Sequence, residues 1–160
     1  MTRQDVRRLG VALETEHHLS FPFVFRYRDE LYMIPESSTD RRVMLYHCTE
    51  LPLRWEPLKA LLEDVNAVDT MVFERDGRWW MFTTIAGSDL GPNDAELHIF
   101  YADTPFGDWK AHRLTPVIMD AAKGRNGGMV WNKKGASTAL RSGPASTNMG
   151  PGSRSSASTS

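Results

Sequence analysis

The sequence contains the same pattern of short apolar runs twice. The first copy consists of Phe21–Phe25, Asp29–Ile34, Val43–Tyr46 and the pair Pro52 and Trp55; the second consists of Asp69–Phe73, Asp76–Phe82, Leu97–Tyr101 and the pair Pro105 and Trp109. A repeated unit of about 50 residues with four such runs is typical of a β-propeller blade, whose four-stranded sheet buries its faces against its neighbours. Two units are too few to close a ring.

The predicted fold is therefore all-β, a partial β-propeller of about two four-stranded antiparallel blades. Residues 18–125 form the blades, and residues 1–17 are an N-terminal extension or a partial strand. The second copy has the longer loop, over Thr83–Glu96, which contains Gly87, Gly91 and Pro92. Residues 126–160 are predicted to be a low-complexity, disordered tail, because from Lys133 onward the chain has no Val, Ile, Phe, Tyr or Trp.

The sequence of one segment is compatible with either a helix or a strand. Leu58, Leu61, Leu62 and Val65 have the spacing of an amphipathic helix, and Pro57 suits a first helical turn. The equivalent segment of the second copy contains Pro116, which argues against a helix there. We therefore favour a strand in both copies.

Charge and composition exclude several classes of function. The net charge of −1 comes from interleaved acids and bases, which gives no footprint for nucleic acid or an anionic membrane. The absence of an apolar run long enough for a signal segment or a membrane span favours a cytoplasmic protein. The single cysteine, Cys48, excludes an internal disulfide, and the five histidines lack metal-ligand spacing. No metal and no cofactor are expected, whereas exposed blade edges favour self-association.

Aromatic residues in the second copy suggest either sugar stacking or core packing. Trp79 and Trp80 lie in the middle of an apolar run. Large aromatic side chains at such positions usually fill the space between sheets. Core packing is therefore the favoured interpretation of both.

Several motifs resemble, in the same order, the N-terminal domain of glucosamine inositolphosphorylceramide transferase and its bacterial relatives. They are His18–Phe25, Leu31–Ser37, Leu45–Tyr46, Leu51–Trp55, Glu63–Asp69 and Asp76–Phe82. The resemblance covers roughly residues 11–125. It implies a five-bladed propeller related to arabinanases, invertases and levansucrases. It implies fold more directly than activity.

The resemblance also implies what this chain lacks. In the plant members, glycosyl transfer is attributed to a separate C-terminal domain of a different fold. The family pattern stops at about Arg125, where Asn126–Trp131 and the low-complexity tail follow. The chain is therefore expected to be a truncated or frame-shifted copy.

Candidate site residues follow from the repeat and from the resemblance. Related glycosidases place carboxylates on the inner strands, one as a general acid and one as a base or nucleophile. Asp69 begins the second inner strand, and Glu36 stands where a strand is expected to end after Pro35; these are the two catalytic candidates. His18, Asp64 and Asn66 are the substrate-binding candidates.

Each candidate also has a structural interpretation. Asp69 could bond to nearby backbone N–H groups, Glu36 could be a solvated loop acid, and His18 could cap a strand. The residue that matches Asp69 in the first copy is Phe21, so the second carboxylate is missing from that place.

The sequence thus predicts part of a carbohydrate-associated propeller domain, which in complete form binds or processes a glycan or sugar conjugate. The alternative is a non-catalytic interaction or scaffold module attached to a glycosyl- or formyl-transferase. A third hypothesis is an inactive gene remnant. A second inner-strand carboxylate would distinguish an enzyme from a scaffold.

Overall fold

The computed structural model describes residues 7–37, 39–86, 95–119, 126–131 and 137–141. All regular structure in these ranges is β. The strands are β1 (Ser20–Tyr27), β2 (Glu30–Glu36), β3 (Arg42–Glu50), β4 (Arg54–Glu63), β5 (Ala67–Arg75), β6 (Arg78–Ala86), β7 (Ala95–Ala102), β8 (Lys110–Ala111), β9 (Ile118–Met119), β10 (Asn126–Trp131) and β11 (Ser137–Arg141). Across the same ranges, no helix has the length and apolar character needed to cross a bilayer.

The first four strands form the first blade, an antiparallel sheet in the order β1-β2-β3-β4. Arg28 and Asp29 form the turn between β1 and β2, with φ angles of 47° and 68°. Positive φ at both central residues matches the right-handed twist of the flanking strands. This blade has the strand order that the first sequence copy predicts.

The second blade has the order β5-β6-β7-β8, with β9 also paired to β7. Its fourth strand is in two short pieces, because Ala111 pairs with Phe100 and Ile118 pairs with Leu97. Pro116 lies between the pieces and has no N–H to donate to a ladder. The two sheets together confirm the all-β, partial-propeller prediction.

The long loop predicted over Thr83–Glu96 is shorter than the sequence suggests. β6 continues to Ala86, β7 begins at Ala95, and these two residues pair. The prediction is wrong at both ends of the loop because cross-strand pairing overrides the local turn signals. Residues 87–94 lie outside the described ranges.

The segment with helical spacing is a strand, as favoured from the sequence. β4 pairs with β3 from Arg54 to Glu63. The register between these strands is irregular at three places, and one irregularity lies opposite Val43 and Met44. A bulge changes which side chains face the core, so the apolar spacing departs from strict alternation and imitates a helix.

The hydrophobic core lies between the two blades. Its buried members come from β2 to β6: Tyr32, Ile34, Val43, Leu45, Leu61, Ala67, Val72, Trp79 and Met81. The Trp79 ring lies 5.6 Å from both Phe25 and Tyr27 of the first blade, measured between centroids. Core packing is confirmed for Trp79, which is 6% exposed. Trp80, the next residue along the strand, is half-buried on the opposite face.

A third sheet follows the second blade. β10 and β11 pair antiparallel, and β10 approaches β5 and β6. Both strands lie within residues 126–160, the segment predicted as a low-complexity tail. The averaged composition of the tail hides the short apolar run Met129–Trp131, which is compatible with a strand. The other residues of the predicted tail lie outside the described ranges.

Candidate functional site

The two inner strands begin with the same irregularity. The register of β1 against β2 shifts between Ser20 and Phe23, and that of β5 against β6 shifts between Val68 and Met71. Each shift inserts one extra residue, which is a β-bulge. Phe21 and Asp69, the residues matched by the repeat, have φ angles of 39° and 53° in these bulges.

Asp69 suits its bulge better than Phe21 does. A short polar side chain can bond to nearby groups and so tolerates positive φ, whereas such a backbone is uncommon for a bulky residue. Asp69 is 6% exposed. The side chains of β5 otherwise alternate between the two faces of the sheet, and the bulge changes the direction of the buried Asp69 carboxylate. Bulges beside active sites often redirect a side chain in this way.

Glu36 of the first blade forms a hydrogen bond with Asp69 of the second blade. The Asp69 backbone N–H donates to Glu36 Oε2 over 3.1 Å. Glu36 belongs to β2, which continues one residue past Pro35 because Glu36 pairs with Ser20. Ladder pairing therefore does not end at Pro35, which stands opposite the bulge, where a residue without an N–H is tolerated. The two acids predicted as catalytic candidates are thus adjacent.

Two buried threonines support the bulge of the second blade. Thr70 Oγ1 and Thr83 Oγ1 lie 2.6 Å apart, and Thr83 Oγ1 also donates to the Val68 carbonyl over 3.3 Å. Both threonines are less than 5% exposed. Thr83 stands opposite the bulge, so its hydroxyl replaces part of the ladder pairing that the bulge removes.

Removing both threonine hydroxyls should cost less than the sum of the costs of removing each one alone. We expect Thr83→Val to lower the free energy of unfolding by about 1–3 kcal/mol, because Thr70 loses its partner in a buried place. The double variant Thr70→Val/Thr83→Val should cost less than the sum of the two single changes, since no donor is then left unpaired. Urea unfolding of all four proteins measures this coupling. Strict additivity would show that the two hydroxyls act independently.

The three substrate-binding candidates occupy different environments. His18 is exposed and precedes β1, and Asp64 is exposed in the turn between β4 and β5. The Asp64 carbonyl, rather than its carboxylate, accepts a hydrogen bond from Arg41 over 2.9 Å. Asn66 is half-buried, and its Oδ1 is fully buried without a hydrogen-bond partner among the described residues. Only Asn66 therefore combines burial with an unused polar atom.

Thr70 and Thr83 were not recognised from the sequence. Threonine is common in strands, so neither residue gives a functional signal on its own. The position of Thr70 directly after Asp69 was the available clue. Over the residues with described side chains, no three His, Cys, Asp or Glu residues converge so that they could hold a metal ion.

The fold and these bulges define the class of the protein as a partial β-propeller whose two inner strands each begin with a bulge. The chain belongs to the family described as glucosamine inositolphosphorylceramide transferase 1, N-terminal, which matches residues 3–147. The match extends past Arg125, up to which the motifs quoted above resemble the family.

The relatives with similar sequences are plant proteins. Glucosamine inositolphosphorylceramide transferase 1 from Oryza sativa subsp. japonica is 38% identical over 130 residues, which cover 80% of this chain and 17% of the relative. The protein of the same name from Arabidopsis thaliana is 34% identical over 125 residues, covering 77% of this chain and 16% of the relative. The chain thus spans about a sixth of the length of these curated relatives.

Solved structures with a similar fold include a GH43_1 enzyme and an endo-arabinase. The GH43_1 enzyme from Xanthomonas citri complexed with xylose has a TM-score of 0.63 at 15% identity, covering 81% of this chain and 41% of the enzyme. An endo-arabinase from Bacteroides thetaiotaomicron has a TM-score of 0.51 at 17% identity, covering 72% of this chain and 42% of the enzyme. At these identities the likeness shows the propeller fold alone.

Proposed function

We propose that this protein is a carbohydrate-associated propeller domain that binds a glycan or sugar conjugate where β5 begins. Asp69 is the acid that contacts the ligand, and Asn66 supplies an amide oxygen beside it. Glu36 positions Asp69 through the hydrogen bond to its backbone N–H. Asp64 and His18, both exposed, contribute at the rim of the site.

The observation that carries this proposal is the contact between Glu36 and Asp69. It joins acids from two blades at a bulge that is built twice. A carboxylate accepts hydrogen bonds without donating any, which suits the hydroxyl groups of a sugar. Bulges are over-represented beside active sites, and residues with unfavourable backbone angles cluster there.

The names of the similar proteins point the same way. The plant relatives are named for glucosamine inositolphosphorylceramide, and the GH43_1 enzyme was solved with xylose and with xylotriose. These names support a sugar ligand for the present chain.

A non-catalytic interaction module is the second candidate, and Phe21 favours it. Hydrolysis of a glycosidic bond uses two carboxylates that flank the scissile bond. In the first blade, the bulge position equivalent to Asp69 holds Phe21, which cannot transfer a proton. Binding without turnover is therefore the form of the proposal that this observation supports best.

Calorimetric titration with xylotriose and with glucosamine tests the proposal. The wild-type protein should bind at least one of them saturably, without release of reducing sugar. Glu36→Ala removes the acceptor for the Asp69 N–H and should weaken binding about tenfold, which corresponds to about 1.4 kcal/mol. Glu36→Gln keeps a carbonyl acceptor and should retain most of the affinity. Equal affinity in Glu36→Ala, or no saturable binding by the wild type, would contradict the glycan site.

A further inference from the structure

Phe21 adopts a backbone conformation that is unfavourable for its residue type. Its φ angle of 39° lies in the left-handed region, which is uncommon for a residue with a bulky side chain. Pro22 follows it, and the residue before a proline favours an extended backbone. Glycine or asparagine would adopt this conformation with less strain. Phe21 is therefore a strained residue, and such residues cluster at active sites and ligand sites.

Core packing between the blades does not account for Phe21. Phe23, Phe25 and Tyr27, which follow on the same strand, pack against the core. In the described part of the chain, Phe21 is not a member of that core. The strain at Phe21 is therefore not offset by packing at the junction of the two described blades.

The strand pairing brings Phe21 close to the proposed glycan site. Phe21 follows Ser20, which pairs with Glu36 of β2. The Glu36 carboxylate accepts the hydrogen bond from the Asp69 backbone N–H over 3.1 Å. Phe21 is thus next to the strand partner of the acid that contacts Asp69. All these contacts lie within the two described blades, so the position of Phe21 does not depend on the exposure of any blade face.

The two bulges also place Phe21 and Asp69 at equivalent points of neighbouring blades. Each residue has a positive φ angle in the bulge at the start of its inner strand. The blades of a propeller surround a central channel, so the inner strands of neighbouring blades line the same channel. A ligand that contacts Asp69 from the second blade therefore lies beside Phe21 of the first.

A phenylalanine ring binds a part of a sugar that a carboxylate cannot. The face of the aromatic ring is apolar and carries partial negative charge. In a pyranose with equatorial hydroxyls, the C–H groups form a flat apolar face that is complementary to it, whereas an open-chain polyol has no such face. The hydroxyls at the edge of the same sugar ring can still donate to the Asp69 carboxylate.

We propose that Phe21 is a specificity-determining residue, which stacks on the ring of a pyranose with equatorial hydroxyls while Asp69 binds its hydroxyls. This role rests on the glycan site proposed at the start of β5. Asp69 provides affinity for hydroxyl groups in general, and Phe21 provides the preference for a closed sugar ring. The strain is retained because a residue that relaxes the backbone, such as glycine, lacks the aromatic face.

Calorimetric titration of the full 160-residue chain with xylotriose, glucosamine and xylitol tests this role. Xylitol has hydroxyl groups but no ring. The wild type should bind at least one of the two sugars, and xylitol should bind at least about fivefold more weakly than that sugar. Phe21→Leu keeps an apolar side chain without the aromatic face, so it should weaken binding of the sugar about fivefold.

Phe21→Gly is a second test, which does not depend on how well Phe21→Leu folds. Glycine adopts a positive φ angle readily, so the melting temperature should stay the same or rise while sugar binding weakens. Phe23→Leu is the matched control, because Phe23 lies on the same strand and packs against the core. It should lower the melting temperature and bind the sugar like the wild type.

Two sets of outcomes separate the role of Phe21 from the glycan site itself. If Phe21→Leu and Phe21→Gly bind the sugar like the wild type, or if the wild type binds xylitol as tightly as the sugar, the role of Phe21 is overturned and the glycan site stands. The role is also overturned if Phe23→Leu weakens binding as much as Phe21→Leu does. If the wild type binds neither sugar saturably, the glycan site is contradicted, and the role of Phe21 with it.

Discussion

Asp69→Asn should weaken glycan binding by about tenfold to a hundredfold. Hydrogen bonds to charged groups contribute about 1.5–3 kcal/mol, and the change removes the charge while keeping the size of the side chain. Asparagine also tolerates positive φ, so the bulge at this position is preserved. If the site also transfers a proton to or from a sugar, turnover should fall by about a hundredfold or more. Calorimetry and thermal melting on the same preparation measure both effects.

Asp76→Asn is the matched control for this change. Asp76 also has positive φ, at 56°, but lies in an exposed hairpin turn with a side chain that is 90% exposed. It should bind glycan like the wild type. If Asp69→Asn keeps full affinity and changes only the stability, Asp69 is a structural residue and does not contact a ligand.

Trp79→Ala should be the most destabilising single change at the junction of the blades. Truncation of a buried tryptophan costs about 3–5 kcal/mol, because it removes apolar burial and leaves a cavity. Trp79 contacts Phe25 and Tyr27 of the other blade, so its loss also weakens the packing between blades. A drop in melting temperature of roughly 10 °C or more is expected.

Trp80→Ala deletes the same side chain one residue along β6 and serves as the control. Trp80 is half-buried on the opposite face and lines an open cavity with Phe82 and His112. Its truncation should cost less than half as much as that of Trp79 in urea unfolding. Equal costs would show that the aromatic contacts between the blades do not dominate stability.

The fold was predictable because a blade is local in sequence. Its strands are joined by short turns such as Arg28–Asp29 and Asp76–Gly77, so a repeated pattern of four runs suffices to identify it. The loop is shorter than predicted because long-range pairing overrides local composition. Ala86 pairs with Ala95 inside the predicted loop. This pairing has no local signal that outweighs its Gly-rich surroundings.

Individual residues of the candidate site could be selected from the sequence, but the contact between them could not be predicted. Asp69 and Glu36 were selected separately, the first from the repeat and the second from its place after Pro35. Their contact depends on the packing of two blades and on a one-residue bulge, which sequence periodicity does not encode. Thr83 joins the site through the same bulge, because it stands opposite the extra residue. His18 was selected by alignment with Asn66, yet it is exposed.

Amide chemical-shift mapping with xylotriose shows whether a glycan binds where β5 begins. We expect saturable shifts at Asn66, Asp69 and Thr70, with an affinity that falls in Asp69→Asn and is unchanged in Asp76→Asn. Saturable shifts elsewhere with none at Asn66, Asp69 and Thr70, or no shifts at all, would contradict the claim.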